Sequence, residues 1–132
     1  MFTIHKTDTG AVVPWEYLPA AAGEYKAGQM VKGNGLGTIV SIDADTAERP
    51  GYLCMANITV AEAGELIPVT RVVEGVIYET TTVAANISTG VGRKVKVAAG
   101  GLGVKIDSDD GCFELVSPNG PATGDTVFGR FV

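Results

Sequence analysis

Short runs of β-branched residues, each closed by a glycine-containing turn, restrict this chain to a β fold. It holds 17 Val and 8 Ile against 6 Leu, with 18 glycines spread through 132 residues. Branching at Cβ stiffens χ1 and favours the pleated strand over the helix. The expected strands are Gln29–Lys32, Leu36–Ile42, Tyr52–Ile58, Glu65–Val73, Val76–Thr82, Arg93–Ala98, Gly103–Ile106, Phe113–Val116 and Thr126–Phe131. Lys94-Val95-Lys96-Val97 alternates strictly, which puts the two valines on one face and the two lysines, with Arg93, on a solvated one. Gly33-Asn34-Gly35, Asp109-Asp110-Gly111-Cys112 and Ser117-Pro118-Asn119-Gly120-Pro121 supply the turns. Many short strands at this spacing predict a mainly β fold, a small β-barrel or β-sandwich of short antiparallel strands over residues 28–132.

One local pattern recurs. A small residue, a glycine and a polar residue precede a strand at Ala27-Gly28-Gln29, Ala63-Gly64-Glu65 and Thr123-Gly124-Asp125. The unequal spacing marks a reused strand-entry turn rather than a solenoid repeat. Thr80–Gly90 is open to either a turn of helix or a loop.

Residues 1–27 differ from the rest. Pro14 and Pro19 exclude a regular helix, while Trp15, Tyr17 and several aliphatics are too apolar for a solvated tail. An extended N-terminal arm that docks on its own domain or on a neighbouring subunit accounts for both features.

Charge and cysteine content narrow the function. The formal charge is −5, and the densest basic cluster is Arg93-Lys94-x-Lys96, too little to track a phosphate backbone, so no nucleic-acid partner is expected. No run approaches the length of a membrane helix, and Met1–Lys6 does not read as a secretory signal. Cys54 and Cys112 are expected to be reduced, core-facing residues of a protein made in a reducing cytoplasm. Without a secretion signal, the glycosylation patterns at Asn57-Ile58-Thr59 and Asn86-Ile87-Ser88 carry no weight.

The search for catalytic groups returns mainly absences. His5 is the sole histidine, so any nucleophilic triad or imidazole metal site would depend on it. Acids cluster at Asp43, Asp45 and Glu48 and again at Asp107, Asp109 and Asp110. Counted from Asp107, the fifth position of a calcium loop falls on Gly111, so a solvated turn is the expectation there and a loosely held cation the alternative. Glu79 lies within a strand-like stretch, but nothing in the sequence pairs it with a second carboxylate across a cleft. Gly33-Asn34-Gly35-Leu36-Gly37-Thr38 lacks the third glycine of a dinucleotide loop, and Gly100-Gly101-Leu102-Gly103 precedes a strand. No catalytic residue, metal or cofactor is expected, and the chain is read as a non-enzyme.

The order of several motifs is familiar. A Trp/Tyr/Pro segment ends in Glu24-Tyr25-Lys26-Ala27-Gly28-Gln29-Met30-Val31 and is followed by Pro50-Gly51-Tyr52-Leu53-Cys54 and Ile67-Pro68-Val69-Thr70-Arg71-Val72. Ile77-Tyr78-Glu79-Thr80, Gly92-Arg93-Lys94-Val95 and Thr123-Gly124-Asp125-Thr126-Val127-Phe128-Gly129-Arg130-Phe131 complete the series. Over nearly its whole length the chain resembles the small head decoration proteins of tailed bacteriophages and prophages of Gram-positive bacteria. The resemblance implies a capsid-stabilising protein on the exterior of the virion, binding the major capsid protein after expansion as a homotrimer. It also implies strand addition by the arm, with Trp15, Tyr17, Leu18 and Tyr25 as the capsid- or subunit-binding residues. Two alternatives stand beside it: a phage tail or baseplate β-module, and a small carbohydrate-binding or hydrolytic β-domain.

Overall fold

The computed structural model describes residues 1–85, 90–107, 110–116 and 122–132. Among them are thirteen strands and no helix. The first eight are β1 (Thr3–Thr7), β2 (Trp15–Ala20), β3 (Gly23–Tyr25), β4 (Met30–Gly33), β5 (Ile39–Ser41), β6 (Tyr52–Cys54), β7 (Ile58–Val60) and β8 (Glu65–Arg71). The rest are β9 (Val76–Ala85), β10 (Lys94–Val97), β11 (Val104–Ile106), β12 (Phe113–Leu115) and β13 (Thr126–Phe131).

These strands close into two rings. The first barrel runs β2-β5-β4-β6-β8 and back to β2. The second runs β9-β11-β10-β12-β13 and returns to β9 through the β9–β13 pairing, with β1 added on β9. The small β-barrel architecture expected from sequence is therefore present, and present twice. Pairing is antiparallel except at β2–β5, which meet only at Ala20↔Ile39, and at β11–β9.

The two rings share a wall. Met30 on β4 pairs with Leu53 on β6, and Leu53 with Thr70 on β8; this face packs into the larger core with Phe2, Tyr78, Phe113 and Phe131. The alternate residues Val31, Cys54 and Val69 point the other way, into a smaller core with Ala20, Tyr25, Ile39 and Ile67. The period of two that normally divides core from solvent here divides one core from another. Gly101 carries the contact from the second ring. The Met30 amide donates to its carbonyl at 2.7 Å, and with φ +73° a Cβ on Gly101 would run into the Met30 carbonyl oxygen.

The recurrent small-Gly-polar pattern is one turn built three times. The amides of Gln29, Glu65 and Asp125 donate to the carbonyls of Lys26, Glu62 and Ala122, with Gly28, Gly64 and Gly124 at positive φ in the third position. The polar side chain then folds back, its Oε1 or Oδ2 accepting from the amide of the turn's first residue at 2.9, 3.4 and 2.8 Å respectively. A type II turn needs positive φ at that third position. This explains both the glycine and the polar residue after it.

Several expected boundaries move for local reasons. Leu36–Thr38 is a loop, because Asn34 Oδ1 accepts the amides of Leu36 and Thr38 and holds them out of the ladder. The strand expected over Tyr52–Ile58 breaks after Cys54, and Asn57 Oδ1 takes the Ala27 amide as β7 leaves to pair with β3. Thr80–Ala85 continues β9 instead of turning into helix. Residues 86–89, Asp109 and the turn at 117–121 lie outside the described residues.

Residues 1–27 dock on their own domain, one of the two outcomes left open by the sequence. They are extended, as expected, but the boundary at residue 27 does not separate an arm from a domain. β1 pairs with β9, β2 pairs with β8 along six positions, and β3 pairs with β7. Phe2 is 1% exposed, its ring edge-on to Phe113 at 5.7 Å and tilted on Phe131 at 6.0 Å. Its amide donates to the Gly28 carbonyl at 2.7 Å. Apolar residues near a terminus can equally dock on the chain's own sheets, and composition does not tell the two cases apart. Phe2→Ala should destabilise the protein by about 3–5 kcal/mol, read as a lower urea midpoint. A change under about 1 kcal/mol would mean that the N-terminal segment is not part of the core.

Candidate functional site

Asp45, Asp107 and Asp110 of the acidic clusters singled out by the sequence form structural ties. Asp45 Oδ1 accepts the Ala99 amide at 2.9 Å, and its Oδ2 accepts from Lys105 Nζ at 2.8 Å. Asp107 reaches the same lysine at 3.4 Å, so one carboxylate from each cluster converges on Lys105. Asp110 lies 3.7 Å from Lys96 Nζ. Beside Asp45, Thr46 bridges Val97 in both directions, and the Ile42 carbonyl accepts the Gly100 amide. Residues 42–50 thus form a strap from the first barrel across the second. Among the described residues, no group of three or more His, Cys, Asp or Glu side chains is arranged to hold a metal.

The remaining candidates for chemistry are dispersed. His5 is exposed, its ring tilted against Phe128 with centroids 4.7 Å apart. Glu79 has Thr3 and Phe128 as its cross-strand neighbours, so neither position opposite it carries a second carboxylate. Cys54 and Cys112 are free and buried, and desolvation pushes the Cys112 thiol up to about 11, away from the thiolate form that reacts.

The four residues assigned to binding separate into two pairs. Tyr25 is 3% exposed, and its hydroxyl donates to the carbonyls of Ala21 and Ile39 at 2.8 and 3.2 Å. Burial raises its pKa, with a smaller contribution from Cys54. It serves the core of the first barrel and offers no surface to a partner. Leu18 is half-buried against the same core. Trp15 and Tyr17 instead face outward, 54% and 62% exposed. As i and i+2 on one strand they share a face about 7 Å apart. Leu66, 56% exposed and opposite Pro19, lies diagonally from Tyr17 and extends the ridge. Among the described residues β2 has β8 on one side, and on the other it meets β5 only at Ala20, which leaves the edge at residues 15–18 without a neighbouring strand.

A groove of about 440 Å³ lies between the 8–14 loop and the turn from β8 to β9. Its lining includes Val12, Pro14, Val73, Asp8, Glu16 and Glu74, and Arg71 is the one cation among the residues that line it. Arg71 Nη2 donates to Glu16 Oε1 at 3.3 Å, whereas Glu16 Oε2 is shielded from solvent with no hydrogen-bond partner. Sequence reasoning found the ridge but not the groove, because Glu16 and Glu74 are brought together by the β2–β8 register, which no local pattern encodes.

No family model matches the chain, and no curated protein matches it.

The Lys105 hydrogen bond, followed by that of the Ala99 amide, holds the Asp45 carboxyl below its ordinary range. A depressed carboxylate pKa stabilises the fold above the unfolded-state value and loses that contribution as pH falls through the folded-state value. Wild type should therefore exceed Asp45→Asn in urea midpoint at neutral pH, with the gap narrowing as pH falls below the unfolded-state value of about 3.9. A gap that stays constant well into the acid range below that value would show that the tie is not ionic.

Proposed function

We propose that this protein is a structural, non-catalytic component of a tailed-phage virion. In this reading it decorates the exterior of the expanded head, binds the major capsid protein and acts as a homotrimer. The supporting observation is the outward ridge of Trp15 and Tyr17 on a strand whose outer edge has no neighbour at residues 15–18. Two large aromatics exposed side by side on a rigid barrel match the anchors that dominate binding energy in protein interfaces. An open strand edge beside them accepts an added strand through backbone hydrogen bonds, with the side chains giving specificity. The strand that resemblance assigned to an arm reaching outward becomes in this account the fixed platform on which the partner's strand docks. Many identical sites over a shell convert modest affinity into durable attachment. The net charge of −5 suits an exterior surface better than one pressed against packaged DNA.

The exposed aromatic pair also favours a second reading, a glycan-stacking platform, since a flat ring pair on one strand face can take a sugar.

Residues 1–20 include β1 and β2, so truncation would remove core strands and the test uses substitutions. Purified protein is cosedimented with expanded heads of its own phage stripped of this component. Wild type should saturate at near-equimolar ratio to the major capsid protein. Trp15→Ala with Tyr17→Ala should weaken binding by about 2 kcal/mol, roughly thirtyfold, at unchanged fold by circular dichroism. Full binding by the double variant would remove the ridge from the interface. No binding by wild type would remove the head reading, and binding to a glycan array that the double variant loses would establish the second.

A further inference from the structure

We propose that Asn34 is a site of spontaneous deamidation through a cyclic imide formed with the Gly35 backbone nitrogen, and that the hydrogen bonds of the β4–β5 loop gate the reaction. The inference does not depend on the capsid reading.

The pair is open to solvent and to itself. Asn34, Gly35, Leu36 and Gly37 are all exposed, so water reaches the loop. Gly35 sits at φ +76° with nothing within 4 Å of the place a Cβ would occupy, and its amide donates to no acceptor among the described residues. Glycine leaves its nitrogen open to approach, where a side chain would crowd it. Asn57 and Asn86 are each followed by isoleucine, whose branched side chain obstructs the same approach. Asn119-Gly120 is the other pair of this kind in the sequence and lies outside the described residues. In the reaction the Gly35 nitrogen gives its proton to water or hydroxide and bonds to Asn34 Cγ. The Cγ–Nδ2 bond breaks, and Nδ2 leaves as ammonia with a proton taken from water. Water then opens either carbonyl of the imide ring, leaving aspartate or isoaspartate at position 34.

Attack requires the face of the carboxamide within about 3–3.5 Å of the nitrogen. In the native loop both ends of that group are committed elsewhere. Oδ1 accepts the amides of Leu36 and Thr38 at 2.7 and 3.2 Å, and Nδ2 donates to Thr38 Oγ1 at 2.7 Å. The Asn34 amide donates to the Thr38 carbonyl at 2.9 Å and closes the neck of the loop. These bonds fix the side-chain torsions, and the carboxamide turns its face to Gly35 only by giving them up. The reaction therefore proceeds through local opening. Its product acts on the fold, because Gly33↔Ile39 is the pair next to the loop. Ile39 is also where β5 meets β2, at Ala20, and its carbonyl accepts from the Tyr25 hydroxyl. Isoaspartate lengthens the backbone by a methylene beside this seam, and either product replaces the Nδ2 donor with a carboxylate oxygen facing Thr38. Deamidation thus loosens the closure of the first barrel.

The test incubates the purified full chain in mildly alkaline buffer, natively and in guanidinium chloride. Isoaspartate is quantified by enzymatic methylation, and peptide mapping assigns it to position 34 or 119. Position 34 should react at least about tenfold faster in denaturant than in the native state. Thr38→Val removes the hydroxyl and keeps the amide; it should speed the native reaction about threefold or more. Thr38→Ser should not, and both variants should match wild type in denaturant, with circular dichroism confirming that each is folded beforehand. Deamidated protein, separated by charge, should have a lower urea midpoint than unreacted protein. No product at position 34 in denaturant would overturn the site. A native rate equal to or above the denatured one would overturn the gate, because the two amides on Oδ1 would then be stabilising the oxyanion of the attack. A native Thr38→Val rate no faster than wild type would overturn it too. An unchanged midpoint would remove the link to barrel closure.

Discussion

Everything else in this fold depends on the two-sided burial of β4, β6 and β8. β4 and β6 present alternate side chains to two different hydrophobic cores, with Met30 and Leu53 on one face and Val31 and Cys54 on the other, while β8 adds Ile67 and Val69 to the smaller core. A strand exposed on one face can lose that face's residues to polar substitutions, but a shared wall has no such freedom. Fully burying one such aliphatic side chain is worth about 1.5–3 kcal/mol, and neither ring would have a complete lining without the wall. A chain of 132 residues thereby builds two small barrels that share part of their interior lining. The close approach of Gly101 to Met30 and the strap over residues 42–50 then lock the rings together.

Much of the local structure was legible in the sequence because it is locally caused. β-branched runs and the alternation at Lys94–Val97 located β10, and β8, β9 and β13 fell within or close to their expected spans. The turn device at Gly28, Gly64 and Gly124 was visible as a pattern, and its hydrogen bonds explain each position in it. What was not legible is non-local. Nothing within residues 1–27 shows that Phe2 enters the core of the second ring, or that β2 closes the first. Ring closure depends on register between distant strands, and the same apolar residues would serve an outward-reaching arm equally well.

The candidate site follows the same division. Trp15 and Tyr17 are conspicuous in composition, and their alternation on β2 leaves both outside, whereas Tyr25, equally conspicuous, fills the interior. One carboxylate from each acid cluster, Asp45 and Asp107, meets at Lys105, and Asp45 also ties the strap to the Ala99 amide. The groove by Glu16 is assembled from β2, the loop before it and the turn after β8, three segments that only the fold brings together. The exposed ridge and the groove thus lie on the first barrel and the loop leading into it.

The central claim is that the two rings are one cooperative unit joined by a shared wall. Native-state hydrogen exchange in rising denaturant measures this directly, comparing amides of Ile67 and Val69 in the first barrel with those of Val95 and Val127 in the second. The account predicts that both sets converge on one opening free energy and one denaturant dependence, that of global unfolding. Opening of one set at distinctly lower free energy, with the other still protected, would show that the rings fold separately and contradict it.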